Sequence, residues 1–187
     1  SIELDSSNNR ALVLDAALDA IVAIDLDTGN RAELSGENIG TGPDFIFAQD
    51  IVLDSANGRA LVMDSNLVVI ELDSGDRSVV STSNVGTGPS LGAPQGITLD
   101  SLNNRILLVD DGLSGLVAID LSTGDRVILS GTTTGSGTNL SSPRGIALDS
   151  TNNRALVVDL GLDALIAIDL VSGDRTIISD ANTGTGS

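Results

Sequence analysis

The side chains able to do chemistry in this chain are few in kind. Nine arginines and 26 acidic residues make up the charged set, and lysine, histidine, cysteine, tryptophan and tyrosine are all absent. Thiol and imidazole catalysis, a lysine Schiff base, a Cys/His zinc site and disulfides are thereby excluded. Carboxylates, guanidinium groups and hydroxyls remain, and they suit cation binding and hydrogen-bonded recognition. A formal charge of −17 opposes binding to nucleic acid and to anionic membrane surfaces. No run of about 18 apolar residues offers a membrane span.

Most of these groups recur at fixed spacing. Arg10, Arg59, Arg105 and Arg154 follow Asn-Asn or Asn-Gly, and Arg31, Arg77, Arg126 and Arg175 follow Gly-Asn or Gly-Asp. A residue present once per repeat is expected to be architectural, here pairing with a turn or strand-end Asp. Asp15, Asp64, Asp110 and Asp159 recur in the same way. Capping of loop amides is their expected role, the alternative being a ring of oxygen ligands for a hard cation such as calcium. No Asp-x-Asp-x-Asp loop supports calcium, no other cofactor is expected, and no metal ligands are assigned.

Departures from the repeat carry more information. Arg144 stands where the other repeats have Gln49 and Gln95. Of the two phenylalanines, Phe45 aligns with Leu91 and Leu140 and is expected in the core, whereas Phe47 aligns with Ala93 and Ser142. Asp50 replaces Gly96 and Gly145. The candidate ligand-binding residues are therefore Arg144, Phe47, Asp50 and Gln95, with Arg144 unpaired; the alternative is that they only fill variable loops. No catalytic residue is assigned.

The elements that position these residues are set by the repeat. The stretch from Arg154, RALVVDLGLDALIAIDLVSGDRTIIS, has near-copies from Arg10, Arg59 and Arg105. The aspartates that precede them, Asp5, Asp54, Asp100 and Asp149, are spaced by 49, 46 and 49 residues, the short step reflecting a three-residue deletion between Asp64 and Glu71. The period is near 49, which points to an array or a propeller. Each repeat reads as four strands. A short strand A ends at the aspartate, and Asn-rich segments such as SSNNR make a tight hairpin. Strands B and C (ALVLD and AIVAIDL in the first repeat) are near-continuous aliphatic runs covered on both faces. A Gly-Asp or Gly-Asn turn with positive φ leads to strand D, shorter and more polar as an outer edge should be. Val158 and Ile168 are both expected to be buried.

Four antiparallel strands with a buried middle and a polar edge make a propeller blade. The fold class is thus all-β, a propeller of four repeats near 1–49, 50–95, 96–144 and 145–187, read as a single domain over 1–187. Helices fail because turns interrupt the apolar runs too often, and a parallel solenoid conflicts with the antiparallel hairpins. The connections from D to the next A contain GTGPDFIFAQD, GTGPSLGAPQG and GSGTNLSSPRG, Gly- and Pro-rich crossings between blades.

The strand-A starts Pro-Gln-Gly-Ile-Thr-Leu-Asp and Pro-Arg-Gly-Ile-Ala-Leu-Asp, the Asn-Asn-Arg turn and the Val-Val-Asp end of strand B resemble the NHL and TolB-like propeller superfamily, which includes gluconolactonase-type enzymes. The resemblance covers all four repeats. It implies that the start of strand A lies near a central channel, so that Arg144, Phe47 and Asp50 would flank one channel mouth and take a small ligand or peptide. It also implies two function classes: a non-catalytic binding or scaffold module for a protein or small ligand, and a gluconolactonase-like hydrolase with a channel-centred divalent metal. Metal ligands should depart from the repeat; Glu3 is the one Glu on a strand A. Near-identity of the blades favours binding. The chain is six residues short of four full repeats, at the place of Ser90–Gln95, as if cut inside that loop between Ser187 and Ser1. A homodimer completing an eight-bladed ring, a segment of a longer propeller and a closed monomer all stay open. A bacterial periplasmic or extracellular location is the expectation, with no targeting segment to carry it.

Overall fold

The computed structural model describes residues 1–185, and the expected cut after Ser187 falls outside them. The chain is all-β. Its described strands form four antiparallel four-stranded sheets, each ordered as in the sequence. Blade 1 is β1 (Ile2–Asp5), β2 (Arg10–Asp15), β3 (Ala20–Asp25) and β4 (Arg31–Ser35); blade 2 is β5 (Asp50–Asp54), β6 (Arg59–Met63), β7 (Leu67–Glu71) and β8 (Arg77–Ser81). Blade 3 is β9 (Pro94–Asp100), β10 (Arg105–Asp110), β11 (Gly115–Asp120) and β12 (Arg126–Ser130); blade 4 is β13 (Pro143–Asp149), β14 (Arg154–Asp159), β15 (Ala164–Asp169) and β16 (Arg175–Ser179). Two compact units divide the chain, Ser1–Val85 with blades 1 and 2 and Gly86–Ser187 with blades 3 and 4.

The turns follow from the residues in them. The tight hairpin from A to B is built on a 3-10 turn, Ser6–Asn8 in blade 1, closed by Asn9 at φ 49°. Asn104 and Asn153 repeat this at φ 47° and 49°, and Gly58 does so at 65°, because these residues tolerate the left-handed region. Arg10 then donates from Nε to Asp5 Oδ2 at 2.7 Å, and Arg59, Arg105 and Arg154 pair with Asp54, Asp100 and Asp149 at 2.8 Å. This arginine set is architectural, as expected. The innermost strands β9 and β13 begin two residues before the expected Gly96 and Gly145, at Pro94 and Pro143, because a bulge re-registers the ladder there and a first-strand position spares proline its missing donor.

Packing between blades uses alternate side chains, since successive residues of a strand point to opposite faces. In the first unit, Leu12, Leu14 and Ile21 of blade 1 meet Val62, Val68 and Ile70 of blade 2, with Phe45 of the connecting loop among them. In the second, Leu107, Val109 and Leu116 of blade 3 meet Val157, Ile166 and Ile168 of blade 4, joined by Leu140. In each unit, therefore, the first blade meets the second with its forward face and the second meets the first with its rear face. Full burial of an aliphatic side chain contributes about 1.5–3 kcal/mol, so these faces dominate the stability of each unit. Ile168 is fully buried, as expected, but Val158 is 47% exposed. Val158 lies on the forward face of blade 4, opposite the face that packs on blade 3; its equivalent Val109, sandwiched between blades 3 and 4, is fully buried.

Candidate functional site

Each connection from D to A is anchored by the aspartate that follows strand B or ends it. In the first unit the buried Asp64 carboxylate accepts from the amides of Ile46, at 3.0 Å, and of Phe47. Asp110 accepts from Gly92, Ala93 and Leu113, each at 2.9 Å, and Asp159 from Ser141 at 2.8 Å, Ser142 at 3.0 Å and Leu162 at 3.1 Å. These aspartates cap loop amides, as expected. The consequence is positional. Every D-to-A loop is held to its own blade by two consecutive amides.

What those two residues carry differs between loops. In the second unit they are Gly92 and Ala93, and Ser141 and Ser142, all small. In the first they are Ile46 and Phe47, exposed by 60% and 70%. Phe47 is thus anomalous, as expected, while Phe45 is buried, with the Arg77 guanidinium 5.6 Å from its ring centre. Ile46 was missed from sequence, although its alignment with Gly92 and Ser141 marks the same departure. Beside this loop a cleft of about 380 Å³ is lined by Leu18, Asp19, Glu37, Asp44, Phe45 and Arg77.

The other candidates are held by partners of their own. Asp50, at the start of β5, accepts from Ser1 Oγ at 2.5 Å and from the Ile51 amide at 3.0 Å. Nearby Glu3 has its carboxyl raised above the usual range, by burial first and by the Asp50 charge, against a backbone hydrogen bond from Leu4. Gln95 donates to the Ala93 carbonyl at 3.4 Å. In the same unit the starts of β9 and β13 come close, and a Cβ on Gly96 would sit 2.5 Å from the Arg144 carbonyl. Arg144 is not unpaired. Its Nη1 meets Asp111 Oδ2 at 2.9 Å and its Nη2 donates to Ser142 Oγ at 2.8 Å. Asp111 also departs from the repeat, aligning with Ala16 and Leu160, so two departures satisfy one another.

The second periodic arginine set corrects the expectation of carboxylate pairing. Arg77 is buried and donates from Nε to the Pro43 carbonyl at 2.6 Å, and from Nη1 to Ser35 Oγ at 2.9 Å and the Gly36 and Ile39 carbonyls at 3.0 and 3.2 Å. Its nearest carboxylate, Asp44, is 4.0 Å away and exposed. Arg175 repeats the cage with Thr138, Ser130 Oγ, Gly131 and Thr134 at 2.6–3.1 Å. A guanidinium fans its five donors in a plane, which matches a loop of converging carbonyls. Among the described residues no three acidic groups gather as a cation cage.

No family model matches the chain, and no curated protein matches it in sequence. Solved structures resemble it in fold, in 335 chains. One, from a crystal structure of a nidogen/laminin complex, superposes with a TM-score of 0.74 at 21% identity over 94% of this chain. The fold is that of a β-propeller. This chain spans 60% of the length of that solved chain, and at such identity the backbone is shared while most side-chain chemistry is not.

Proposed function

We propose that the chain is a non-catalytic binding scaffold, an NHL/TolB-like propeller domain over residues 1–187, that presents an apolar anchor to a protein or peptide. The observation that carries it is the Ile46–Phe47 pair. Exposing two large apolar side chains side by side is unfavourable unless something covers them, and their backbone is fixed in advance by the buried Asp64 carboxylate. Such preorganisation removes part of the ordering cost of binding, and rigid aromatic anchors dominate interface energetics. Asp19, Glu37 and Asp44 line the adjoining cleft, so the partner that fits pairs an apolar side chain with a basic one. Asp50 in the same unit, and Gln95 and Arg144 in the other, are polar contacts in this reading, each within its own unit. The nidogen/laminin structure is itself a protein complex, and that supports a protein partner.

A phage-displayed random peptide library panned against the immobilised chain tests this. Selected peptides should be apolar and basic, bind more weakly as salt rises, and lose affinity by about tenfold or more toward an Ile46→Ser, Phe47→Ala variant whose circular dichroism is unchanged. Arg144→Gln, which restores the repeat residue, tests the second unit separately. Peptides that bind the Ile46/Phe47 variant undiminished would overturn the reading.

A further inference from the structure

The contact between the two blades of a unit is the same joint in both units. Its arginine, Arg77 or Arg175, is buried. Beside it, Thr41 and Ser136 each donate both amide and hydroxyl to Asp76 and Asp174 at 2.7–2.8 Å. Ser35 and Ser130 donate from Oγ to the Gly75 and Gly173 carbonyls at 2.6 Å.

Each unit also carries one half of this joint with its key residue exposed, Arg31 in the first and Ser179 in the second. On blade 1, Arg31 is exposed, and among the described residues no hydrogen bond or ion pair engages its side chain. A Cβ on Gly29, the equivalent of Gly75 and Gly173, would meet nothing within 4 Å. The rear face beneath it opens a cleft of about 450 Å³ lined by Val13, Val22, Ile24 and Arg31. On blade 4 the accepting loop is already shaped. Asp180 N donates to the Thr183 carbonyl at 3.2 Å, as Gly36 N does to Ile39 and Gly131 N to Thr134 at 3.0 Å. Gly184 keeps the positive φ of Gly40 and Gly135. Yet Ser179, whose equivalents Ser35 and Ser130 are buried, is exposed, beside a cleft of about 410 Å³ containing Val158, Leu160 and Leu165.

We propose that these halves belong to an intermolecular joint: the rear face of blade 1 receives blade 4 of a second copy of this chain. Arg31 enters the carbonyl cage of Ser179, Asp180 and Thr183, Thr185 donates to Asn30, and Val13, Val22 and Ile24 cover Val158 and Leu165. The occupant is a second copy because every chain carries both halves and the joint inside each unit shows that the two halves fit. Asn30 stands where the other joints have aspartate; its Oδ1 accepts from Thr185 without adding charge. The proposal is independent of the Ile46–Phe47 site.

Sedimentation velocity over a dilution series reads it directly. The expected mass is a multiple of 18.9 kDa that falls to 18.9 kDa on dilution. Arg31→Ala should raise the dissociation constant by about tenfold or more, because it removes a charged donor from a desolvated cage, and leave the circular dichroism of the dilute chain unchanged. The chain lacks cysteine, so Asn30→Cys mixed with Thr185→Cys under mild oxidation should yield a disulfide-linked pair that neither variant forms alone. A mass of 18.9 kDa at every concentration, as would follow if a further repeat of a longer chain filled the joint, would overturn the proposal, as would association indifferent to Arg31→Ala or a mixture that fails to cross-link.

Discussion

Arg175 and Arg31 follow the same Gly-Asp or Gly-Asn turn and open the same outer strand, yet one is buried in carbonyls and the other lies in solvent. Their faces differ in the same way: Ile166 and Ile168 behind Arg175 are buried, while Val22 and Ile24 behind Arg31 are only half covered. The pair teaches that a repeat encodes half an interface twice. Whether a given half is a core or a surface depends on what stands against it.

The largest effect that would break this comparison is a charge placed on each kind of face. Ile168→Asp should cost about 4–5 kcal/mol, since an unpaired carboxylate would be forced into a closed core, whereas Val158→Asp on the open face should cost about 1 kcal/mol or less. Urea unfolding of both variants at low protein concentration checks it, and equal losses would erase the distinction. Arginine truncation comes next. Arg175→Ala should lose about 3 kcal/mol, because several buried acceptors lose their donor, while Arg31→Ala in the dilute chain should change stability by no more than about 0.5 kcal/mol.

The smallest effect is a pH dependence that sharpens the comparison. Asp76, Asp125 and Asp174 are held below their ordinary value of 3.8 by hydrogen bonds from the Thr41, Thr87 and Ser136 side chains first, and then by the backbone amides of the same residues. A carboxyl depressed in the folded state stabilises fully above its unfolded value and loses that contribution as pH falls through the folded one. Stability in urea should therefore hold steady at neutral pH and decline below about pH 3.8. Glu3, raised by burial, runs the other way: its protonation favours the fold, and that gain disappears as pH rises through its elevated value. Asn30, which stands where the closed joints have aspartate, does not titrate and contributes nothing to the acid transition.

The sequence alone determined what depends on near neighbours. The period, the four strands of each repeat, the positive-φ turns and the Asp5–Arg10 staple join residues at most a turn apart, and local backbone preference decides them. Phe45 in the core and the amide-capping aspartates were also legible, Phe45 because it aligns with the aliphatic Leu91 and Leu140 and the aspartates because they recur beside loops whose amides need acceptors. Ile46 escaped notice although it departs from the repeat as plainly as Phe47, since exposure of an aliphatic residue has no local signature. The Arg144–Asp111 pair spans 33 residues, and the cage of Arg77 gathers acceptors from 34 to 42 residues away. Those contacts, and the exposure of Val158 where Val109 is buried, were decided only by the tertiary structure, because burial and desolvation belong to the surface opposite a residue and near-identical repeats carry no record of which of their faces is met.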